Sequence, residues 1–472
     1  MIELRGNEER TVMTTPEPVP VTDEGTAGGE ATATVAPAPT TKTTTTRATG
    51  GASGGGDVVR RKPRLIGLLG PAFVAAIAYV DPGNVAANLS AGAEYGYLLL
   101  WVLVLANVMA MVVQYLSAKL GLVTRRSLTA TIHDRIEGSD RLGGARRTVR
   151  LLYWGQAEIV TAATDIAEVI GGAVALNLLF GTPLVLGGVI VGIVSIGLLL
   201  LQGQRTQRSF EAVIVAFLVV ITVGFLSGLF VTGLTVNEMV EGIVPRFQGT
   251  HTVILAASML GATVMPHAVY LHSGLVRDRN FTPGNDAGMR HHLTATRWDV
   301  GAALVLAGTV NIAMLCLAAE ALRGVEGTDS IEGAHAAVQN ALGPVIGGLF
   351  AVGLLASGLA STSVGCYAGD MVMRDLLKVH IPILLRRFIT ILPALAILAL
   401  GVEPTWALVL SQVVLSLGIP FALIPLVRLT SLPQVMGKWV NARALTVIGW
   451  VFCAIIVVLN IVLVYLTVTG QA

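Results

Sequence analysis

Charge is what this chain has least of. Asp, Glu, Lys and Arg make up 13% of its 472 residues, about half of the ~25% found in soluble domains. Hydrophobic residues make up 54% and gather in long runs, which makes this an integral membrane protein. Cysteine is nearly as scarce: Cys316, Cys366 and Cys453 each lie inside an apolar run. Neither a disulfide framework nor a cysteine zinc site is expected from them. There is no Walker-type phosphate loop, so ATP-driven transport is not expected, and no His-Glu-x-x-His helix of a zinc protease. A net charge of +2 gives no ground for a nucleic-acid partner. Residues 1–59 are rich in Thr, Ala, Gly and Pro and almost free of large apolar side chains. They are expected to form a disordered cytoplasmic tail, and without an apolar h-region they are not a secretory leader.

What is present is a series of apolar runs of spanning length, roughly 20 residues each. Eleven are expected, at about 66–92, 97–122, 150–180, 183–202, 209–234, 251–277, 299–322, 343–373, 384–401, 405–429 and 443–469. The basic residues alternate between the loops. One side carries Arg60, Arg61, Lys62 and Arg64, then seven arginines between Arg125 and Arg150, then Arg205, Arg208, Arg277, Arg279, Arg374, Lys378 and Lys438. The other side is poor in them. The positive-inside rule puts the N-terminus in the cytoplasm and the C-terminus outside.

Two runs are interrupted. Asp81-Pro82-Gly83-Asn84 sits in the middle of the first, where a carboxylate costs on the order of 2.5–3.5 kcal/mol. Pro82 lacks an N–H and Gly83 accepts almost any backbone angle, so the helix is expected to unwind there. Asp81, Asn84 and freed carbonyls such as that of Ala78 then make an oxygen-rich cation site. Span six is broken in the same way by Gly261-Ala262-Thr263-Val264-Met265-Pro266-His267. Spans one and six are five apart, an odd number, so a second five-span unit enters the membrane inverted. Broken helices at matching places in two inverted halves point to a transporter site at the bilayer midplane. Met265 lies in the half-site facing Asp81 and is either ordinary packing or a ligand, in which case its softer thioether favours transition metals over calcium and magnesium.

Asp81-Pro82-Gly83-Asn84 and Met265-Pro266-His267 resemble the two hallmark motifs of the Nramp family, and the chain looks like a bacterial member. The resemblance runs from about residue 66 to 469 and includes Gly70-Pro71, the segment from Gln114 to Gly121, Ala163 to Glu168, Tyr270 to Ser273, and Ser411 to Ser416. It implies a LeuT-like fold of five plus five inverted helices (about 66–234 and 251–429) with an eleventh peripheral helix, all within a transporter domain at 60–472. It implies proton-coupled import of divalent manganese, with iron as a second substrate, across the cytoplasmic membrane. It also implies a monomer without a resident cofactor and without enzymatic activity, whose partners are the metal ion, protons and the bilayer. The metal ligands it implies are Asp81, Asn84, Met265 and the carbonyls of Ala78 and Ala262, joined by Gln412 in some conformations.

Span three carries Glu158, Asp165 and Glu168 on one helical face. Carboxylates at membrane depth line water paths or proton relays, or else bridge helices. The relay reading is favoured for Asp165 and Glu168, and both readings stay open for Glu158. His267 is either a proton carrier, since imidazole titrates near neutral pH, or a hydrogen-bonding residue; His272 has a weaker claim to the same role. Arg386 and Arg387 either take part in the proton route beside Asp165 or anchor span nine at the cytoplasmic surface. Asp81 itself completes the proton pathway. The pair His291-His292 falls in an expected cytoplasmic loop and is read as incidental. Gly171-Gly172 and Gly187-Gly188 lie within spans and are read as close helix packing. The competing functional reading is a sodium-coupled organic-solute carrier on the same fold, which needs no methionine opposite the aspartate.

Overall fold

Eight helices among the described residues are long and apolar enough to cross a bilayer. The structure is a computed structural model that describes residues 70–200, 207–278, 285–328 and 330–469. The expected tail at 1–59 and the basic run at 60–64 lie outside these. The described elements are helical, with no strand among them. Span one is Pro71–Ile77, the 3-10 turn Ala78–Val80 and Pro82–Tyr95. Span two is Leu100–Thr124, span three Arg146–Phe180, span four Leu184–Leu200 and span five Gln207–Leu229. Span six is Gly249–Thr263 and Pro266–Asp278, and span seven Asp286–Ala321. Spans eight to eleven are Pro344–Leu377, Ile383–Ala399, Pro404–Thr430 and Arg443–Val468.

Three of the eleven expected spans are not among the long apolar eight. Span one is divided by its break, and spans four and nine have 17 residues each. Short or divided helices cross a membrane only where neighbours cover their polar groups. For span one the cover is visible. The Asp299 carboxylate of span seven accepts from the N–H groups of Gly70 at 3.0 Å and Ala72 at 3.1 Å, capping the positive end of the helix. Asn311 of the same span donates to the Tyr79 carbonyl at 2.7 Å, and Ser357 of span eight donates to that of Val80 at 2.5 Å.

The glycine pairs do bring helices together. A Cβ at Gly171 would lie 2.0 Å from Cβ of Pro82, and Gly172, Gly187 and Gly188 face Val191, Ala173 and Leu395 as closely as 2.7 to 3.0 Å. Span eleven lies at the edge, with Val447, Val458, Ile461 and Val468 exposed.

Two expected loops contain helices, and a third is shortened. Ser127 caps Leu128–Glu137 after span two, and Ser330 caps Ile331–Leu342 before span eight. Both are amphipathic and carry too many polar residues to register as apolar runs. Asn285 caps a helix that begins at Asp286, well ahead of the apolar run at 299. His291 and His292 are therefore half-buried helical residues and not part of an exposed loop.

Candidate functional site

A helical carbonyl accepts from the N–H four residues on. Four residues on from Ala78 stands Pro82, and four on from Ala262 stands Pro266; neither has an N–H to give. Each break therefore releases one carbonyl from its helical partner, and the two broken helices meet there. Asp81 has extended backbone angles and caps Pro82–Tyr95. Its Oδ1 accepts from the Asn84 backbone N–H at 2.8 Å and from Asn84 Nδ2 at 2.7 Å. The same Nδ2 donates to the Ala262 carbonyl at 2.8 Å, which ties span one to span six. Thr263 adds a longer contact to Asn84 Oδ1 at 3.4 Å.

Gln412 reaches in from span ten, its Nε2 3.4 Å from Asp81 Oδ2. It has room because residue 83 is glycine: a Cβ there would lie 1.7 Å from Gln412 Nε2. Asp81, Asn84, Ala262 and Gln412 are thus one hydrogen-bonded group, and all four are at most 0% exposed. Ala78 and Met265 are buried within the same two breaks, Met265 in the gap between the halves of span six, and neither is hydrogen-bonded to this group. Among the described residues no three His, Cys, Asp or Glu side chains converge as metal ligands. What converges is one carboxylate with two amides and a main-chain carbonyl. Gln412 Oε1 is buried with no protein partner, the condition in which a buried polar atom calls for a water or an ion.

A second charged group lies along span three. Asp165 Oδ1 is 3.1 Å from Arg387 Nη1, and both residues are wholly buried. Arg387 also donates to Ser195 at 2.9 Å and to Thr362 at 2.5 Å. Arg386 donates to Glu158 at 2.6 Å and is itself buried. Neither arginine is the surface anchor that loop counting allowed. Both are held by carboxylates of span three, so Glu158 bridges helices. Glu168 is buried, with no ion-pair partner among the described residues, and its Oε2, like Asp165 Oδ2 and His267 Nε2, has no hydrogen bond to them. His267 Nδ1 lies 3.2 Å from Thr164 Oγ1.

Sequence reading missed the supports of this arrangement. Asn311 holds Tyr79, Asp299 holds the start of span one, and Gln114 donates to the Tyr79 hydroxyl at 2.6 Å while 2.8 Å from His272 Nδ1. A lone amide or carboxylate in an apolar run was the available signal.

Broken helices that meet at a buried polar group, inside a bundle of spanning helices, define a multi-pass membrane transporter and not an enzyme. The chain matches the model of the Natural resistance-associated macrophage protein-like family over residues 72–466. It belongs to the Nramp family. It is 60% identical over 403 residues to the "Divalent metal cation transporter MntH" of Mycobacterium tuberculosis (strain ATCC 25618 / H37Rv), covering 85% of this chain and 92% of that protein. The protein of the same name from Bacillus subtilis (strain 168) is 44% identical over 403 residues, 85% of this chain and 92% of that one. The crystal structure of the Eremococcus coleocola manganese transporter, in complex with an aromatic bis-isothiourea substituted compound, superposes with a TM-score of 0.75 at 30% identity, over 84% of this chain and 85% of that chain. MhsT in complex with L-phenylalanine superposes with a TM-score of 0.54 at 12% identity, over 83% and 98%. At that identity the likeness shows the shared LeuT-like fold alone.

Proposed function

We propose that this protein imports divalent transition metal ions across the cell membrane, manganese first and iron second, coupled to protons. The observation that carries the reading is the group of Asp81, Asn84, the Ala262 carbonyl and Gln412 at the meeting of two broken helices. An amide presents either two N–H donors or a carbonyl oxygen. A half-turn of Asn84 and Gln412 changes them from donors on the Asp81 carboxylate to oxygen ligands of a cation beside it. The site thus has one arrangement in which its amides donate to Asp81 and one that replaces part of a metal's water shell. Met265 adds sulfur at the break, which favours manganese and iron over the hard ions. The names of the relatives, divalent metal and manganese transporters, support the same cargo.

Proton movement is assigned to Asp81, Asp165, Glu168 and His267, with Arg386 and Arg387 fixing the carboxylates of span three. The unpartnered atoms of Glu168, Asp165 and His267 supply places for protons or water between the site and span nine. The chain works as a monomer, with its N-terminus inside and C-terminus outside, and rocks between outward-open and inward-open states. The test is manganese uptake by purified protein in liposomes, with and without an inward proton gradient. Uptake should rise with the gradient and acidify the lumen. A folded protein that takes up no manganese overturns the metal reading, and uptake indifferent to the gradient overturns the coupling.

A further inference from the structure

Span ten carries Gln412 and then two prolines, Pro420 and Pro425, inside the helix. The rule that frees Ala78 and Ala262 applies again here. Pro420 deprives the Ser416 carbonyl of its helical partner, and Pro425 deprives that of Phe421. Both carbonyls are taken up by other helices. Asn460 of span eleven donates from Nδ2 to the Ser416 carbonyl at 2.8 Å, and its Oδ1 accepts from the Ser416 hydroxyl at 2.7 Å. Tyr153 of span three donates to the Phe421 carbonyl at 2.5 Å. Ser416 lies one turn below Gln412, and span six presses on that same turn. A Cβ at Gly261 would lie 2.0 Å from the Gln412 carbonyl oxygen and 2.9 Å from the Ser416 nitrogen.

We propose that Asn460, on the helix at the edge of the bundle, is a positioning residue for the ligand amide of Gln412. Its two bonds brace span ten across the Pro420 defect, so that the turn bearing Gln412 is held against Asp81. Without them the Ser416 carbonyl is orphaned in an apolar bundle, the helix bends there to find another donor, and Gln412 leaves its place. The eleventh helix then acts on the site from outside the five-plus-five core. This rests on the metal reading for its consequence at the site, but the bracing itself does not.

The test uses four purified full-length variants beside the wild type: Asn460→Leu, Gln412→Ala, the pair Asn460→Leu/Gln412→Ala, and Asn460→Leu/Pro420→Ala. Two quantities are read, equilibrium manganese binding and amide hydrogen exchange over residues 408–424. Asn460→Leu should weaken manganese binding by up to about tenfold, the worth of an orphaned buried acceptor, and speed exchange in this segment. It should add nothing to the loss in Gln412→Ala. Pro420→Ala returns an N–H to the Ser416 carbonyl, so the double variant should regain both binding and slow exchange. Additive losses, or no recovery with Pro420→Ala, overturn the proposal, as does an Asn460→Leu protein that binds and exchanges like the wild type. Should Asn460→Leu fail to fold, recovery of folded protein by Pro420→Ala supports the proposal and its failure overturns it. A wild type that binds no manganese sinks the metal reading, while exchange still decides whether Asn460 braces the break.

Discussion

Asp81 and Asp165 are both wholly buried, and they are held in opposite ways. Asp81 is met by neutral donors, a backbone N–H and two amides. Asp165 is met by a guanidinium that is itself satisfied by Ser195 and Thr362. The first arrangement solvates a negative charge without cancelling it, and its donors can turn away. The second is neutral as a pair, and each of the three guanidinium nitrogens has a partner. A buried charge left unbalanced costs stability, and in the proposed function the metal ion is what balances Asp81. The pair at Asp165 is suited to persist while the rest of the molecule moves.

The sharpest way to break this comparison is to neutralise each aspartate. Asp81→Asn should leave a folded protein and remove manganese uptake. Two unit charges ~4 Å apart at an effective dielectric of about 20 interact by about 4 kcal/mol, so losing one charge against a dication should cost at least about a thousandfold. Normal uptake by folded Asp81→Asn would end the site assignment. At the second carboxylate the stability should move instead. Arg387→Met leaves Asp165 buried and unpaired and should destabilise by about 3–5 kcal/mol, while adding Asp165→Asn should restore much of it. Thermal unfolding in detergent compares the three proteins, and an Arg387→Met protein as stable as the wild type would show that the pair is not structural.

Met265→Ala refines the first side of the comparison. Sulfur is a poor substitute for oxygen around calcium or magnesium, so its loss should cost selectivity more than total transport. Calcium competition against manganese uptake should strengthen by about tenfold, or ~1.4 kcal/mol. A mutant that still ignores calcium returns Met265 to packing. On the second side, Asp165→Asn and Glu168→Gln should keep manganese affinity within a few fold while the response to a proton gradient falls. Loss of metal binding in detergent would place the residue at the metal or make it structural.

The smallest effect lies outside the spans, on Ile331–Leu342. Burial lowers the pKa of His335, against a weaker opposing bond to the Gly347 carbonyl. The folded state therefore prefers the neutral ring, and its contribution is present above the ordinary histidine pKa near 6.5 and lost as pH falls below it. Glu332, raised by burial, works the other way. Local opening of this helix, read by hydrogen exchange relative to a His335→Gln variant, should increase a few fold between pH 7 and pH 5. Identical pH profiles in the two proteins would remove His335 as the cause.

The spans and both breaks were legible in the sequence because each rests on a one-dimensional signal, an apolar run or a proline within one. The partners that make the breaks tolerable were not. Asn311, Asp299 and Asn460 are single polar residues in long apolar helices, and which carbonyl each serves is set by how distant segments pack. The helices Leu128–Glu137 and Ile331–Leu342 were hidden for another reason. They are short and amphipathic, so no apolar run marks them. For Arg386 and Arg387 the sequence left open a place beside Asp165 or a surface anchor, because their acceptors, Glu158 and Asp165, are more than 200 positions away in sequence.

The glycine at position 83 also sets a mechanical limit. Since the Gln412 amide occupies the space a side chain would fill, having only a hydrogen atom at residue 83 is what lets that amide lie beside Asp81. A methyl group there stands where the amide now sits. Gly83→Ala keeps the residues of the site in the sequence but should turn the Gln412 side chain away from Asp81.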